Sequence, residues 1–250
     1  MLDHCTHVSD TALPGFENSI SMPALPGMAA MDGHREKVRE HFMNAGAEAT
    51  ADEEVLELVL YRAIPRREVR TLAQRLLFTF GDFNGVISAR PARLAEVQGV
   101  GTSVIRELKI VEAAAHKLAR CKVMRREVLS NWEALLEYCQ TRMAHLEVEQ
   151  FRVLYLDRKN VLIADEAQGA GTVDHVPVYP REIVKRALEL NASAMIIVHN
   201  HPSGDATPSP EDIAMTKTIQ AAAETLGLVL HDHLVIGKAQ HVSLRAEGHI

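Results

Sequence analysis

The apolar run Ala194-Met195-Ile196-Ile197-Val198 leads without a break into His199-Asn200-His201-Pro202-Ser203-Gly204. A short apolar stretch with no polar alternation suits a strand covered on both faces, and so calls for a sheet with a layer on each side. The polar segment then leaves the C-terminal end of that strand, where functional loops usually sit. His199 and His201 project the same way from extended backbone, because side chains repeat there with a period of two. Asn200 points away from them and reads as a pin for the loop. Gly204, Pro208 and Pro210 shape the connection to a helix running through Met215, Ile219, Ala222 and Leu226.

Two histidines followed by Asp212 supply two nitrogen donors and one oxygen, leaving a coordination position open. That donor set describes a catalytic zinc site, one ion per chain. Asp212 carries a second reading. Ser209-Pro210-Glu211-Asp212 also spells a helix start, with Ser209 as cap, Pro210 in the first position and Asp212 in the third. The two roles are compatible, since a carboxylate on a first helical turn is rigidly placed. Hydrolysis also needs a proton acceptor, for which Glu166, Asp165, Asp174 and Glu211 compete on the residues alone. Asp232 and His233 form a further polar pair, either support behind the ligands or, the stronger structural reading, a buried hydrogen-bonded dyad.

Around this motif, strands are expected at residues 151–156, 161–164, 173–178, 228–236 and 241–244. Helices are expected from Asn131 and from Pro180. Helices alternating with mixed strands make residues 125–250 an α/β layer domain. Residues 31–124 read as a small all-helical domain, with Asp52 capping one helix and Pro65 closing it. Its informative piece is Gly99-Val100-Gly101-Thr102-Ser103, a tight turn into a helix with the stripe Val104, Leu108, Val111, Ala115 and Leu118. Thr102 or Ser103 would cap that helix. Gly99, Gly101, Arg106 and Lys109 are then the candidate phosphate contacts at its start. A plain glycine turn between packed helices fits equally well, and the arginine cluster at 62–75 is ordinary for helix surfaces. Residues 1–30, with Asp3, Asp10 and Glu17 but no lysine or arginine, read as a flexible acidic leader.

The back half resembles the JAB/MPN metalloprotease domain, whose zinc signature is His-x-His-Pro, six residues, Ser, two residues and Asp, with a glutamate upstream. His199, His201, Pro202, Ser209 and Asp212 fill those positions. Ala164-Asp165-Glu166, Gly171-Thr172, Pro180-Arg181-Glu182 and Asp232-His233 are similar to the bacterial RadC branch, a likeness that takes in residues 34–250 and the helical hairpin module. The resemblance implies a JAB/MPN-like mixed sheet flanked by helices, with cytidine-deaminase-like layering. It implies Glu166 as the catalytic base and Ser209 as donor to the developing oxyanion. It also implies an amide bond in a protein or peptide as substrate. One departure stands beside the base: Asp165 takes the place of a common serine, and Ala167-Gln168-Gly169-Ala170 replaces bulkier residues.

A net charge of -6 argues against a chain wrapped in nucleic acid, although seven basic residues against two acidic ones between residues 104 and 126 leave room for local DNA-backbone contact. Three widely spaced cysteines offer neither a disulfide framework nor a zinc knuckle and suit a reducing cytoplasm. No run is long enough to cross a bilayer, so no membrane partner is expected. There is no GxSxG elbow for a serine nucleophile and no HxE with PCxxC for a deaminase. The alternative to an enzyme is a DNA-associated binding or scaffold protein without peptidase turnover.

Overall fold

The computed structural model describes residues 26–170 and 178–250; the expected acidic leader up to residue 25, and Asp174 with most of the strand expected at 173–178, lie outside them. Helix α1 (Pro26–Ala45) begins inside the expected leader and packs on α2 (Asp52–Ala63). Ala51, not Asp52, occupies the cap position, and the Asp52 carboxylate instead accepts the Phe83 amide at 3.0 Å. Helices α3 (Arg70–Phe80), α4 (Phe83–Ser88) and α5 (Pro91–Ala95) complete a helical core built on Leu56, Leu60, Leu76, Val86 and Leu94.

Helix α6 (Thr102–Val123) belongs to two cores at once. Val104 and Leu108 pack in the helical core, whereas Ala119 and Val123 pack under the sheet. The expected stripe therefore drifts: Ala115 is exposed and Leu118 is 69% exposed, with Ala119 buried in its place. The helix ends at Val123, just before the seam that the sequence suggested between 124 and 125, and its last turns already pack under the sheet.

Helix α7 (Trp132–Met143) covers one face of the sheet. Strands β1 (Gln150–Leu156) and β2 (Leu162–Ala170) follow, then α8 (Pro180–Glu189), β3 (Ala194–Asn200), α9 (Pro210–Thr225), β4 (Val229–Ile236) and β5 (His241–Ser243). The described strands form a mixed sheet in the order β2-β1-β3-β4-β5, with β3 and β4 parallel and the other pairs antiparallel. The fold is thus the expected α/β layering behind a helical N-terminal region.

Strand β3 is buried along its whole length. Ala194, Ile196 and Val198 pack toward α7, and Met195 and Ile197 pack toward α8 and α9 with Phe151, Val153 and Tyr155 of β1. Period-two alternation therefore aims the next residue, His199, at the α9 side.

A candidate metal centre at the end of strand β3

His199, His201 and Asp212 converge. Their donor atoms all lie within 4.8 Å of one another, the one such group with metal-ligating potential among the described residues. Nε2 of His199 is 3.0 Å from Nε2 of His201 and 3.4 Å from Asp212 Oδ1, while His201 Nε2 is 3.5 Å from Asp212 Oδ2. Nitrogen donors of a tetrahedral zinc with bonds of 2.0–2.1 Å stand about 3.3 Å apart, so the spacing fits.

The surrounding hydrogen bonds fix which nitrogens carry lone pairs. The Asp212 carbonyl oxygen can only accept, so the Thr216 hydroxyl donates to it at 2.5 Å. Thr216 Oγ1 then accepts from His233 Nδ1–H at 2.5 Å, and His233 Nε2 accepts from His199 Nδ1–H at 2.7 Å. His199 Nε2 is left as a bare lone pair. The Nδ1–H of His201 donates to the Asp205 carbonyl at 2.8 Å, which frees its Nε2 likewise. Two lone pairs and a carboxylate aimed at one point favour positive charge between them. The same preference lifts the pKa of His201, chiefly through its contact with Asp212 and against the opposing effect of burial. Burial works to raise the Asp212 carboxyl, but both histidines and the Ser209 hydroxyl overcome it and hold the group far below the ordinary range.

Each candidate ligand is held by its element. Phe151 stacks along His199 at 6.4 Å between centroids and meets His233 edge-on at 5.7 Å, closing the dry side. The His201 amide donates to Ile236 at 2.9 Å, tying the loop to the end of β4. Close loop packing explains Gly237, where an added Cβ would lie 2.3 Å from the Gly204 carbonyl oxygen. Asp212 sits in the expected capping box: Ser209 N and Oγ donate to its Oδ2 at 2.8 and 2.6 Å, and its amide donates to Ser209 Oγ at 3.1 Å. The Ser209 hydroxyl proton is therefore committed to the ligand carboxylate, and an oxyanion would have to draw it away.

Glu166 requires a correction. It lies within β2 rather than after a strand, and its two oxygens accept from Arg186 Nη2 and Nε at 2.7 and 2.8 Å. That guanidinium holds the carboxyl below its usual range. Glu166 is in register with Val153 and Val153 with Ile197, two residues short of His199. At about 4.8 Å per strand, its Cα is roughly 10 Å from Ile197 and further from the ligands.

The carboxylate that strand pairing carries toward this end of β3 is Glu149. Phe151 pairs with His199 across the antiparallel β1–β3 ladder, and continuing the register sets Glu149 opposite His201. Buried Asn200 clamps that entry, accepting the Gln150 amide at 2.9 Å and donating to the Val148 carbonyl at 3.1 Å. Glu149 also contributes to raising the pKa of His201. Sequence reasoning missed Glu149 because its position depends on strand pairing. Thr216 was legible in principle, four residues after Asp212 on one helix.

Asp232 and His233 separate into different roles. The Asp232 carboxylate accepts from the His233 amide, the Arg245 amide and the Ser243 hydroxyl, bracing β4 against β5; the His233 ring alone reaches a ligand. Asp232 is thus a structural brace, and its carboxylate makes no hydrogen bond to His199, His201 or Asp212.

In the N-terminal turn Gly99 has φ +98° and Val100 packs on the helical core. Gly101 caps α6 without a side-chain hydrogen bond, so neither Thr102 nor Ser103 serves as the cap. Arg106 is exposed, but Lys109 turns inward, donating to the Ile87 carbonyl at 2.7 Å and to Glu112 at 3.0 Å. Lys109 is not free for phosphate.

Comparison with known proteins fits this architecture. Residues 129–249 match the RadC-like JAB domain, and residues 33–105 match the UPF0758 N-terminal domain. A UPF0758 protein of Ruegeria pomeroyi is 66% identical over 217 residues, covering 87% of this chain and 97% of that protein. One of Rhodobacter capsulatus is 68% identical over 211 residues, covering 84% and 99%. The chain belongs to the UPF0758 family, whose helical N-terminal domain here precedes a RadC-like JAB domain.

Proposed function

We propose that this protein is a zinc-dependent hydrolase of peptide or isopeptide bonds, holding one zinc per chain on His199, His201 and Asp212. The observation that carries the reading is the pair of Nε2 lone pairs, 3.0 Å apart, beside Asp212. Zinc in such a site would polarise the substrate carbonyl and acidify water. Glu149, rather than Glu166, accepts the proton of the attacking water and returns it to the leaving amine. Its place opposite His201 supports that assignment. The Ser209 amide keeps its hold on Asp212 Oδ2, while the Ser209 hydroxyl turns from that carboxylate to donate a hydrogen bond to the substrate oxygen as negative charge develops there. Glu149→Gln and Glu166→Gln, assayed on a panel of peptides and isopeptides with zinc content measured in parallel, test the assignment. Loss of turnover only in Glu149→Gln, with zinc retained, is expected.

DNA-backbone contact is a second role, supported by the uncapped amides at the start of α6 and by exposed Arg106 beside Gly99 and Gly101. Such binding weakens steeply with salt and with Arg106→Ala. A site in the reducing cytoplasm suits Cys121 and Cys139, both free thiols, and no described helix is long and apolar enough to cross a membrane.

A further inference from the structure

The basic run on α6 ends at a second concavity, on the sheet face opposite the metal centre. One face of α6 supplies His116, Lys117 and Arg120, α7 supplies Tyr138 and Arg142 one turn apart, and Arg152 of β1 with Asp165 of β2 forms the floor. The cavity holds about 310 Å³, at the lower end of the range for small-molecule sites.

Its charges do not cancel. The Asp165 carboxylate is spent on Arg152, at 2.8 Å, and on the Tyr138 hydroxyl. The pair contributes no net charge, and Arg152 is further occupied by Gln150 at 2.9 Å. Lys117 and Arg120 are exposed and enter no ion pair among the described residues. Arg142 donates Nη1 to His116 Nδ1 at 3.1 Å, while His116 Nε2–H donates to the Thr141 carbonyl at 3.1 Å. His116 is thereby fixed as a neutral acceptor, and the Arg142 guanidinium keeps further donors without a carboxylate. Three uncompensated cations thus border one concave pocket.

We infer that this pocket binds a small phosphorylated molecule, its phosphate oxygens engaged by Arg142, Arg120 and Lys117. Guanidinium groups match phosphate geometry with paired hydrogen bonds, and an ammonium adds a mobile point charge. A pocket of this volume exceeds what one bare phosphate fills, so a pyrophosphate or a nucleotide is the expected class.

Calorimetric titration of the full-length protein with inorganic phosphate, pyrophosphate and ATP at low salt tests the inference, with a short DNA duplex as a separate arm. Pyrophosphate or ATP should bind saturably, with inorganic phosphate weaker. The double variant Lys117→Ala/Arg120→Ala changes only exposed side chains, and should bind roughly a hundredfold more weakly, about tenfold for each cation removed. Its zinc content should match that of the unaltered protein. Absence of saturable binding at millimolar ligand would overturn the inference. Equal affinity in the double variant would do the same. Binding of the duplex without binding of the small phosphates would also overturn it, and would make this face a nucleic-acid contact.

Discussion

His233 stands behind His199, its Nε2 accepting the Nδ1 proton at 2.7 Å, and its own proton is passed on to Thr216. The direction of every donor in that chain follows from one carbonyl oxygen, that of Asp212. One ligand therefore sets the tautomer of another through two intervening side chains.

Thr216→Val keeps the shape of the side chain but removes the acceptor for the His233 proton. A buried donor left without a partner costs about 1–3 kcal/mol. Zinc affinity should fall by about 10–100-fold, as for other partners that orient metal ligands. Chelator competition and chemical denaturation of the same variant measure both effects.

Stability of the metal-free protein should depend on pH through His233. Burial, and then the neighbouring His199, depress its pKa well below 6.5, so the folded state holds it neutral while the unfolded chain takes up a proton. Stability is then fully present above about 6.5 and is lost as pH falls below that value, at up to ~1.4 kcal/mol per pH unit. His201 is shifted the other way and offsets part of the slope, because its raised pKa adds stability at low pH that fades as pH rises through the folded value. Asp212 adds nothing to the slope above about pH 5, since its depressed folded pKa makes its contribution fall away progressively only as pH drops through and below the ordinary carboxylate range. Urea unfolding between pH 5 and 8 should show the slope, and His233→Gln should flatten it.

Much of the centre was legible in the sequence because it is local. The apolar strand, the two histidines and the capping box around Asp212 each depend on spacings of a few residues, and the structure brings those groups together. Glu149 was not legible, since only the β1–β3 pairing carries it to His201. Glu166 drew attention through its neighbours in sequence, yet Arg186 on α8 claims its carboxylate. The change of pattern near residue 125 falls where α6 ends, at Val123, but the sharing of α6 between the two cores depends on long-range packing that its spacing does not show.

Gly237→Ala should disturb the site from a distance. The added methyl would meet the Gly204 carbonyl at 2.3 Å, forcing apart the turn that follows β4 and the loop that carries His201. Overpacking of this kind costs about 1–3 kcal/mol. A lower melting temperature together with weaker zinc binding is expected.

Asn200→Ala should free the Val148 and Gln150 backbone groups from their clamp and let Glu149 drift from His201. Turnover should drop by about 10²–10³, within the range that a positioned proton acceptor supplies, while zinc remains bound. Kinetics paired with metal analysis on one preparation separate this from collapse of the centre.

Elemental analysis of zinc per folded chain, in the unaltered protein and in His201→Ala, bears most directly on the convergence of His199, His201 and Asp212. One equivalent in the first and a near-complete loss in the second is the expected pair of values. A folded, zinc-supplied protein that retains no metal, or a variant that keeps its full equivalent, would contradict the account.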